Sequence, residues 1–163
     1  MTKSLKLEEK LLNVCLKHQI TLGAAESCTG GALAARITQI PGASTYFMGS
    51  IVSYTNRIKT RILGVPTKIL EQYGAVSVPV ALMMLEGALL QFSCDIAVAV
   101  TGVAGPTGDT PKTPIGTVII AIGGKKLNPK IVTLQLEGDR QEIIQQSVRR
   151  ILEELLEICD KNW

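Results

Sequence analysis

The chain has 163 residues and a net charge of +3, and it is 46% apolar but only 4% aromatic. This is the length of one domain that buries its own core, so we predict a single domain over residues 1–163. The seventeen Lys and Arg residues are spread among fourteen acids, and few aromatic side chains are available for stacking on bases. Neither feature indicates a nucleic-acid partner.

Cysteine and histidine usage argues against a metal centre. The four cysteines lie far apart without a Cys-x-x-Cys pair, and His18 is the only histidine, so we expect no metal and no cofactor. Residues 1–10 are charged where a signal peptide would be apolar, and no apolar run reaches the ~20 residues that span a bilayer. We therefore expect a cytoplasmic protein with free thiols and no membrane contact.

The first predicted elements are a helix, a strand and a second helix. Apolar residues recur at helical spacing over about the first seventeen residues, with His18 near the helix end. The short apolar stretch 20–22 predicts a strand. The run Ala24-Ala25-Glu26-Ser27-Cys28-Thr29-Gly30-Gly31 then predicts a tight turn that opens an amphipathic helix over 32–40.

Ser27 stands in this glycine-containing turn at the start of a helix. The first N–H groups of a helix lack intrahelical partners, and the helix dipole favours negative charge beside them. The turn is therefore predicted either to hold an anion or to make one. The alternative interpretation is that Ser27 or Thr29 merely caps the helix while the glycines allow close packing.

The middle of the chain alternates between strand and helix patterns. Strand-like residues predict a second strand over 46–54, ending at Tyr54. Glycine and proline signals bound the helices that follow it. These predicted helices cover 55–63, 66–73 and 79–92, and the last of them starts near Ser77.

The last third of the chain begins with an apolar run, 95–101, which predicts a strand buried on both faces. The loop 102–114 holds three glycines and three prolines and is long for a compact domain. It is a candidate functional loop, with a disordered surface loop as the alternative. Strand patterns at 116–122 and 130–136 predict a hairpin, and an amphipathic helix over 139–158 closes the chain.

Strands interleaved with helices predict an α/β fold, a three-layer α/β/α sandwich with a mixed, mostly parallel sheet of about five strands. In such folds ligands bind at the carboxyl ends of strands, near the point where the strand order reverses. The Ser27 turn, Tyr54 and Thr101 all fall at predicted strand ends, so one cleft could collect them. Helix faces of this kind often pair, and a homo-oligomer is also expected.

The candidate chemistry centres on Ser27. Because His18 has no reason to face it, a Ser/His/Asp triad is disfavoured. The remaining way to activate a serine is a lysine kept neutral by burial, or a tyrosine beside such a lysine, which makes Tyr54 and Lys59 candidates. A solvated helix lysine is the alternative interpretation of Lys59. Cys28 is a less favoured nucleophile because no basic residue adjoins it in sequence.

Six motifs occur in order along the chain: Glu26 to Gly31, Gly49 to Lys59, Leu63-Gly64-Val65, Thr101 to Pro106, Pro114 to Val118 and Gly138-Asp139-Arg140. Together, and over nearly the whole chain from about residue 8 to 156, they resemble the CinA C-terminal domain family. Relatives in that family usually show two glycines where this chain has Gly49-Ser50, so the added side chain is expected to narrow the cleft or to add a hydrogen bond. Many relatives also carry an N-terminal nucleotide-hydrolase domain, which we expect this chain to lack.

The resemblance implies an amidohydrolase that converts nicotinamide mononucleotide to nicotinate mononucleotide and ammonia in pyridine nucleotide salvage. It implies Ser27 as nucleophile, with Lys59 as the base either alone or through Tyr54. Backbone N–H groups of the 28–31 turn would stabilise the oxyanion, and Arg140 would clamp the phosphate. The residues assigned to substrate binding are Thr29, Gly30, Gly31, Asn56, Thr101, Gly102, Gly105 and Arg140.

The alternative function is a noncatalytic module that binds a nucleotide or a protein partner, in keeping with the competence and recombination association in the family's name. The presence of all the implied positions favours the enzyme, because a binding module could lose Ser27 or Lys59 freely. Hydrolysis of another small amide or phosphate compound is a further alternative, which only substrate screening distinguishes.

Overall fold

The computed structural model describes residues 5–163, which form a five-stranded sheet. Its strands are β1 (Leu22–Glu26), β2 (Phe47–Val52), β3 (Ile96–Gly102), β4 (Thr117–Gly124) and β5 (Leu127–Gln135). They lie in the order β2-β1-β3-β4-β5. β1 pairs in parallel with β2 and β3, whereas β4 is antiparallel to β3 and β5. Only β4 therefore opposes the common direction of the described strands, which confirms a mixed, mostly parallel sheet.

The first strand lies further along the chain than its predicted place at 20–22. It runs from Leu22 to Glu26, and every residue in it is buried. Gly23, Ala24 and Ala25 carry little strand propensity of their own, so the local pattern does not mark them as a strand. They become one because β1 pairs with a neighbour on each side, and small side chains fit a strand that is covered on both faces.

The predicted helices are confirmed to within a few residues. The part of the first predicted helix that falls in residues 1–4 lies outside the described residues. None of the helices within 5–163 is both long enough and apolar enough to cross a membrane. The helices are α1 (Leu7–His18), α2 (Ala32–Thr38), α3 (Asn56–Leu63), α4 (Thr67–Tyr73), α5 (Val78–Phe92) and α6 (Arg140–Asn162), with a short 3-10 helix at Ala43–Thr45.

The helices cover the sheet from both sides. Helices α1, α2 and α6 pack on one face, and α3, α4 and α5 pack on the other. Side chains alternate between the two faces along a strand. On β3, Ile96, Val98 and Val100 therefore belong to the core under α1, α2 and α6, whereas Ala97 and Ala99 belong to the core under α3, α4 and α5. The predicted α/β/α sandwich is therefore confirmed.

The strand order reverses beside β1. Helix α2 leads from β1 to β2 across one face, and α3, α4 and α5 lead from β2 to β3 across the other. β2 and β3 thus flank β1 on opposite sides, which opens a crevice at the carboxyl ends of β1 and β3. Ser27 follows β1 at this edge, and Thr101 lies near the end of β3.

Candidate active site

Lys59 and Ser27 form a buried contact at this edge of the sheet. Lys59 Nζ donates hydrogen bonds to Ser27 Oγ at 2.9 Å and to the Ser53 carbonyl oxygen at 2.8 Å. Only 1% of Lys59 and 8% of Ser27 is exposed. The structure thus brings the predicted serine and lysine together.

The local sequence explains why Lys59 points inward. Thr55 caps α3 by accepting a hydrogen bond from the Ile58 N–H, which starts the helix close to the end of β2. Lys59 and Leu63 are four residues apart on this helix, share one face, and are both buried. The alternative interpretation of Lys59 as a solvated helix lysine is wrong, because α3 packs with this face against the sheet.

Burial lowers the pKa of Lys59, and within residues 5–163 no carboxylate forms an ion pair with its ammonium group. The neutral amine is therefore more accessible than in an exposed lysine. A carbonyl oxygen can only accept, so the Ser53 oxygen takes one N–H of that amine. The 2.9 Å contact with Ser27 can then reverse its direction, so that the amine lone pair accepts the Ser27 hydroxyl proton.

Cys28 lies beside this pair, but its thiol is not activated as a nucleophile. Burial raises the pKa of its thiol to about 12, so the thiol stays protonated at neutral pH. A Cβ at Gly102 would lie 3.1 Å from Cys28 Sγ and 2.6 Å from the Thr117 carbonyl oxygen. The glycine therefore lets β3 end close against the turn that carries Ser27.

The N-terminus of α2 is occupied by Glu26, which is fully buried. Its carboxylate accepts hydrogen bonds from the Thr29 hydroxyl at 2.7 Å and the Gly31 N–H at 3.0 Å. The Leu33 and Ala34 N–H groups donate to it as well, at 3.1 and 3.0 Å. The anion at this helix start is therefore the Glu26 carboxylate of the chain itself. Sequence reasoning missed this role, although an acid just before a helix start was a usable signal.

The substrate-binding roles of Thr29, Gly30 and Gly31 stay predictions, and the Glu26 cap lies on the same turn. None of the three lines the cleft beside Ser27, and Thr29 and Gly31 already donate to Glu26. In the described part of the chain, the Cys28 and Thr29 N–H groups donate to no backbone carbonyl. Of these two residues Cys28 lines the cleft, so its N–H can serve an oxyanion there, whereas the Gly30 N–H donates to the Ser27 carbonyl.

The cleft has a volume of about 250 Å³ and collects the other predicted residues. Sequence reasoning did not find Ala75 and Val76, which join α4 to α5 and also line it, and no sequence signal marks them. Thr101 Oγ1 donates to the Ala75 carbonyl at 2.8 Å, so its oxygen remains available as an acceptor. The predicted residues that line the cleft are Ser27, Tyr54, Asn56, Lys59, Thr101, Gly102, Gly105 and Arg140.

Arg140 crosses the mouth of the cleft from the first position of α6. It donates to the Gly105 carbonyl oxygen and to Tyr54 Oη, each at 2.7 Å. Tyr54 is 57% exposed and its hydroxyl is engaged by Arg140, whereas Lys59 contacts Ser27 directly. The geometry therefore favours Lys59 over Tyr54 as the group next to Ser27.

His18 and Ser27 lie at opposite ends of β1. His18 ends α1, before the amino end of β1, whereas Ser27 follows the carboxyl end of that strand. Residues 5–163 contain no group of three or more His, Cys, Asp or Glu side chains that could hold a metal ion.

The sequence model of the family described as CinA C-terminal domain matches residues 4–159. The chain belongs to the CinA C-terminal domain family. A CinA-like protein of Chlorobaculum tepidum is 41% identical over 145 residues, which are 86% of this chain and 34% of that protein. A CinA-like protein of Dictyoglomus thermophilum is 45% identical over 138 residues, which are 84% of this chain and 33% of that protein. The chain thus spans about a third of the length of these curated relatives.

Solved structures of the CinA superfamily share the whole fold. The competence/damage inducible protein CihA from Agrobacterium tumefaciens has 36% identity and a TM-score of 0.86, over 96% of this chain and 98% of that one. A CinA superfamily protein from Klebsiella pneumoniae has 29% identity and a TM-score of 0.91, over 96% of this chain and 97% of that one.

Proposed function

We propose that this CinA domain hydrolyses the carboxamide of nicotinamide mononucleotide to give nicotinate mononucleotide and ammonia. The observation that carries the proposal is the buried 2.9 Å contact between Lys59 Nζ and Ser27 Oγ at the base of a cleft that Arg140 crosses. A serine beside a neutral lysine is suited to acyl transfer. An arginine at the mouth is suited to a phosphate.

In the first half of the proposed reaction, Ser27 Oγ bonds to the carboxamide carbon and its proton moves to Lys59 Nζ. The carbonyl oxygen becomes an oxyanion, for which the N–H group of Cys28 is a donor, worth roughly 3 kcal/mol in comparable sites. When the oxyanion collapses, the C–N bond breaks. Lys59 passes its proton to the leaving nitrogen, which departs as ammonia.

In the second half, water attacks the ester carbon on Ser27 and gives a proton to Lys59. The tetrahedral intermediate then expels the Ser27 oxygen, which recovers that proton from Lys59. The nicotinate product leaves, and the serine and the neutral lysine are restored. Lys59 thus acts as base and acid in turn, which requires a pKa below that of an exposed lysine.

Arg140 accounts for the choice of a nucleotide over a simple amide. Its guanidinium makes two hydrogen bonds to neutral acceptors, Gly105 O and Tyr54 Oη, and has further N–H donors to offer. A substrate phosphate would provide it with a charged acceptor.

A cytoplasmic location and a homo-oligomer stay predictions.

The proposal is tested by incubating the purified protein with nicotinamide mononucleotide and measuring ammonia and nicotinate mononucleotide. Ser27→Ala should abolish turnover, whereas Ser44→Ala, which changes an exposed serine away from the cleft, should not. Free nicotinamide serves as the substrate that lacks the nucleotide. A folded wild-type protein without turnover contradicts the proposal and favours a noncatalytic binding module.

A further inference from the structure

We propose that Glu26 is a positioning residue for Ser27, and that Ser50 completes the set of hydrogen bonds through which it acts. This inference rests on the proposed function, since it concerns how the reacting serine is held. Glu26 itself does not line the cleft, and its side chain makes no hydrogen bond to Lys59 or Ser27.

Five donors converge on the Glu26 carboxylate. Besides the Thr29 hydroxyl and three N–H groups of the α2 start, Ser50 Oγ donates to Glu26 Oε1 at 2.9 Å. A carboxylate accepts at about four lone-pair sites, so this one is fully used. Among residues 5–163 it has no ion-pair partner, which leaves these donors and the helix dipole to stabilise its buried charge.

The carboxylate fixes both ends of the turn that carries Ser27. Glu26 directly precedes Ser27, and its side chain reaches forward to Thr29, Gly31 and Ala34. The N–H groups of the helix start are thereby taken up, and those of Cys28 and Thr29 are not. Glu26 thus decides which donors of the turn remain for the oxyanion.

Ser50 links this turn to the segment that holds Lys59. It lies on β2 opposite Ala24 of β1, and β2 leads directly to Ser53. The Ser53 N–H donates to the Glu26 carbonyl at 2.8 Å, and the Ser53 carbonyl accepts from Lys59. Glu26 is therefore held to the β2 segment by its backbone and, through Ser50, by its side chain.

The added side chain at Ser50 was expected either to narrow the cleft or to add a hydrogen bond. Ser50 does not line the cleft, so it does not narrow it, whereas its hydroxyl adds a hydrogen bond to Glu26. The position lies on the edge strand β2 and is only partly buried, so substitutions there are expected to leave the fold intact.

The test compares Ser50→Ala, which loses the hydroxyl, with Ser50→Thr, which keeps it. Two readouts are used: kcat and KM for nicotinamide mononucleotide, and the rate at which a fluorophosphonate labels Ser27, followed by intact mass. We expect Ser50→Ala to lower kcat and the labelling rate about tenfold with KM within about twofold, because a hydrogen bond to a charged group is lost. Ser50→Thr should restore both.

Unchanged kcat and labelling in Ser50→Ala would overturn the inference, and so would an equal loss in Ser50→Thr. Thermal unfolding separates positioning from stability, and Ser44→Ala is the matched control. If Ser50→Ala unfolds, Thr29→Val and Thr29→Ser repeat the comparison at the other hydroxyl on Glu26. Labelling does not require the natural substrate, so wild-type protein that labels without turnover contradicts the proposed function alone; protein that does neither contradicts both.

Discussion

Lys59 Nζ and Ser27 Oγ lie 2.9 Å apart although the two residues are separated by 32 positions in the chain. One residue follows β1, and the other lies on α3, beyond β2. Their contact therefore depends on the parallel pairing of β1 with β2 and on the face that α3 turns to the sheet. The same packing buries the lysine and lowers its pKa, so placement and activation have one cause.

Replacing Lys59 by Met should lower kcat by about 10²- to 10⁴-fold, because the methionine side chain fills a similar space but accepts no proton. Ammonia release under saturating nicotinamide mononucleotide measures the effect. Lys68→Met is the control, since Lys68 is exposed on α4. Intact turnover in Lys59→Met would remove Lys59 from the mechanism.

The pH dependence of kcat/KM should show an acid limb that belongs to Lys59. The base form is neutral, so activity is lost as the pH falls through the lysine pKa and reaches a plateau above it. Burial lowers that pKa, so the plateau should begin below the ordinary lysine value of 10.5. If kcat/KM keeps rising up to pH 10.5, the pKa of Lys59 is not lowered and the prediction is wrong.

The free energy of unfolding provides an independent check on the same pKa. Between the lowered pKa of the folded state and 10.5, the unfolded chain holds the Lys59 proton and the folded chain does not. The unfolded state then binds more protons, so stability contributed by this group rises with pH across that window. In urea unfolding, the free energy of unfolding of Lys59→Met should exceed that of wild type most at pH values below this window. The difference should shrink as the pH rises through the window.

Tyr54→Phe should leave kcat within about threefold of wild type and raise KM a few-fold, because the lost hydroxyl contacts Arg140 and not Lys59. Steady-state kinetics with nicotinamide mononucleotide distinguish the two parameters. A fall in kcat as large as that of Lys59→Met would instead assign Tyr54 a role in proton transfer to Lys59.

Arg140→Ala should raise KM for nicotinamide mononucleotide by about 10- to 100-fold, the range expected when hydrogen bonds from a cation to a phosphate are lost. Nicotinamide riboside lacks the phosphate, so its kcat/KM should change little. The comparison of the two substrates in wild type and variant measures the phosphate contribution directly. Equal losses for both would show that Arg140 acts elsewhere in the cleft.

Cys28→Ala should keep kcat within about threefold of wild type, because a thiol whose pKa is raised to about 12 supplies no thiolate at neutral pH. Turnover of the variant is the decisive measurement. Alkylation of wild type is not, since a bulky adduct next to Ser27 would block the cleft sterically. Loss of activity in the alanine variant would make Cys28 a candidate nucleophile.

Sequence patterns were sufficient for most of the fold and part of the site. The amphipathic spacing of α6 and the apolar run of β3 each carry their buried face in their own residues, so both were predicted close to their bounds. β1 was displaced because Gly23 to Ala25 gain strand structure only from their neighbours. The assignment of Thr29 to Gly31 to the substrate leaves out one local signal, since Glu26 is an acid just before a helix start and accepts hydrogen bonds from Thr29 and Gly31.

The layers of the sandwich, the family and the residue types of the cleft followed from the sequence, because periodicity and motif order are properties of the chain taken locally. The Ser27–Lys59 contact and the hydrogen bond between Arg140 and Tyr54 came only from the tertiary structure. These depend on strand register and on the rotation of α3 against the sheet. Both are set by packing between segments far apart in the chain, where local spacing carries no information.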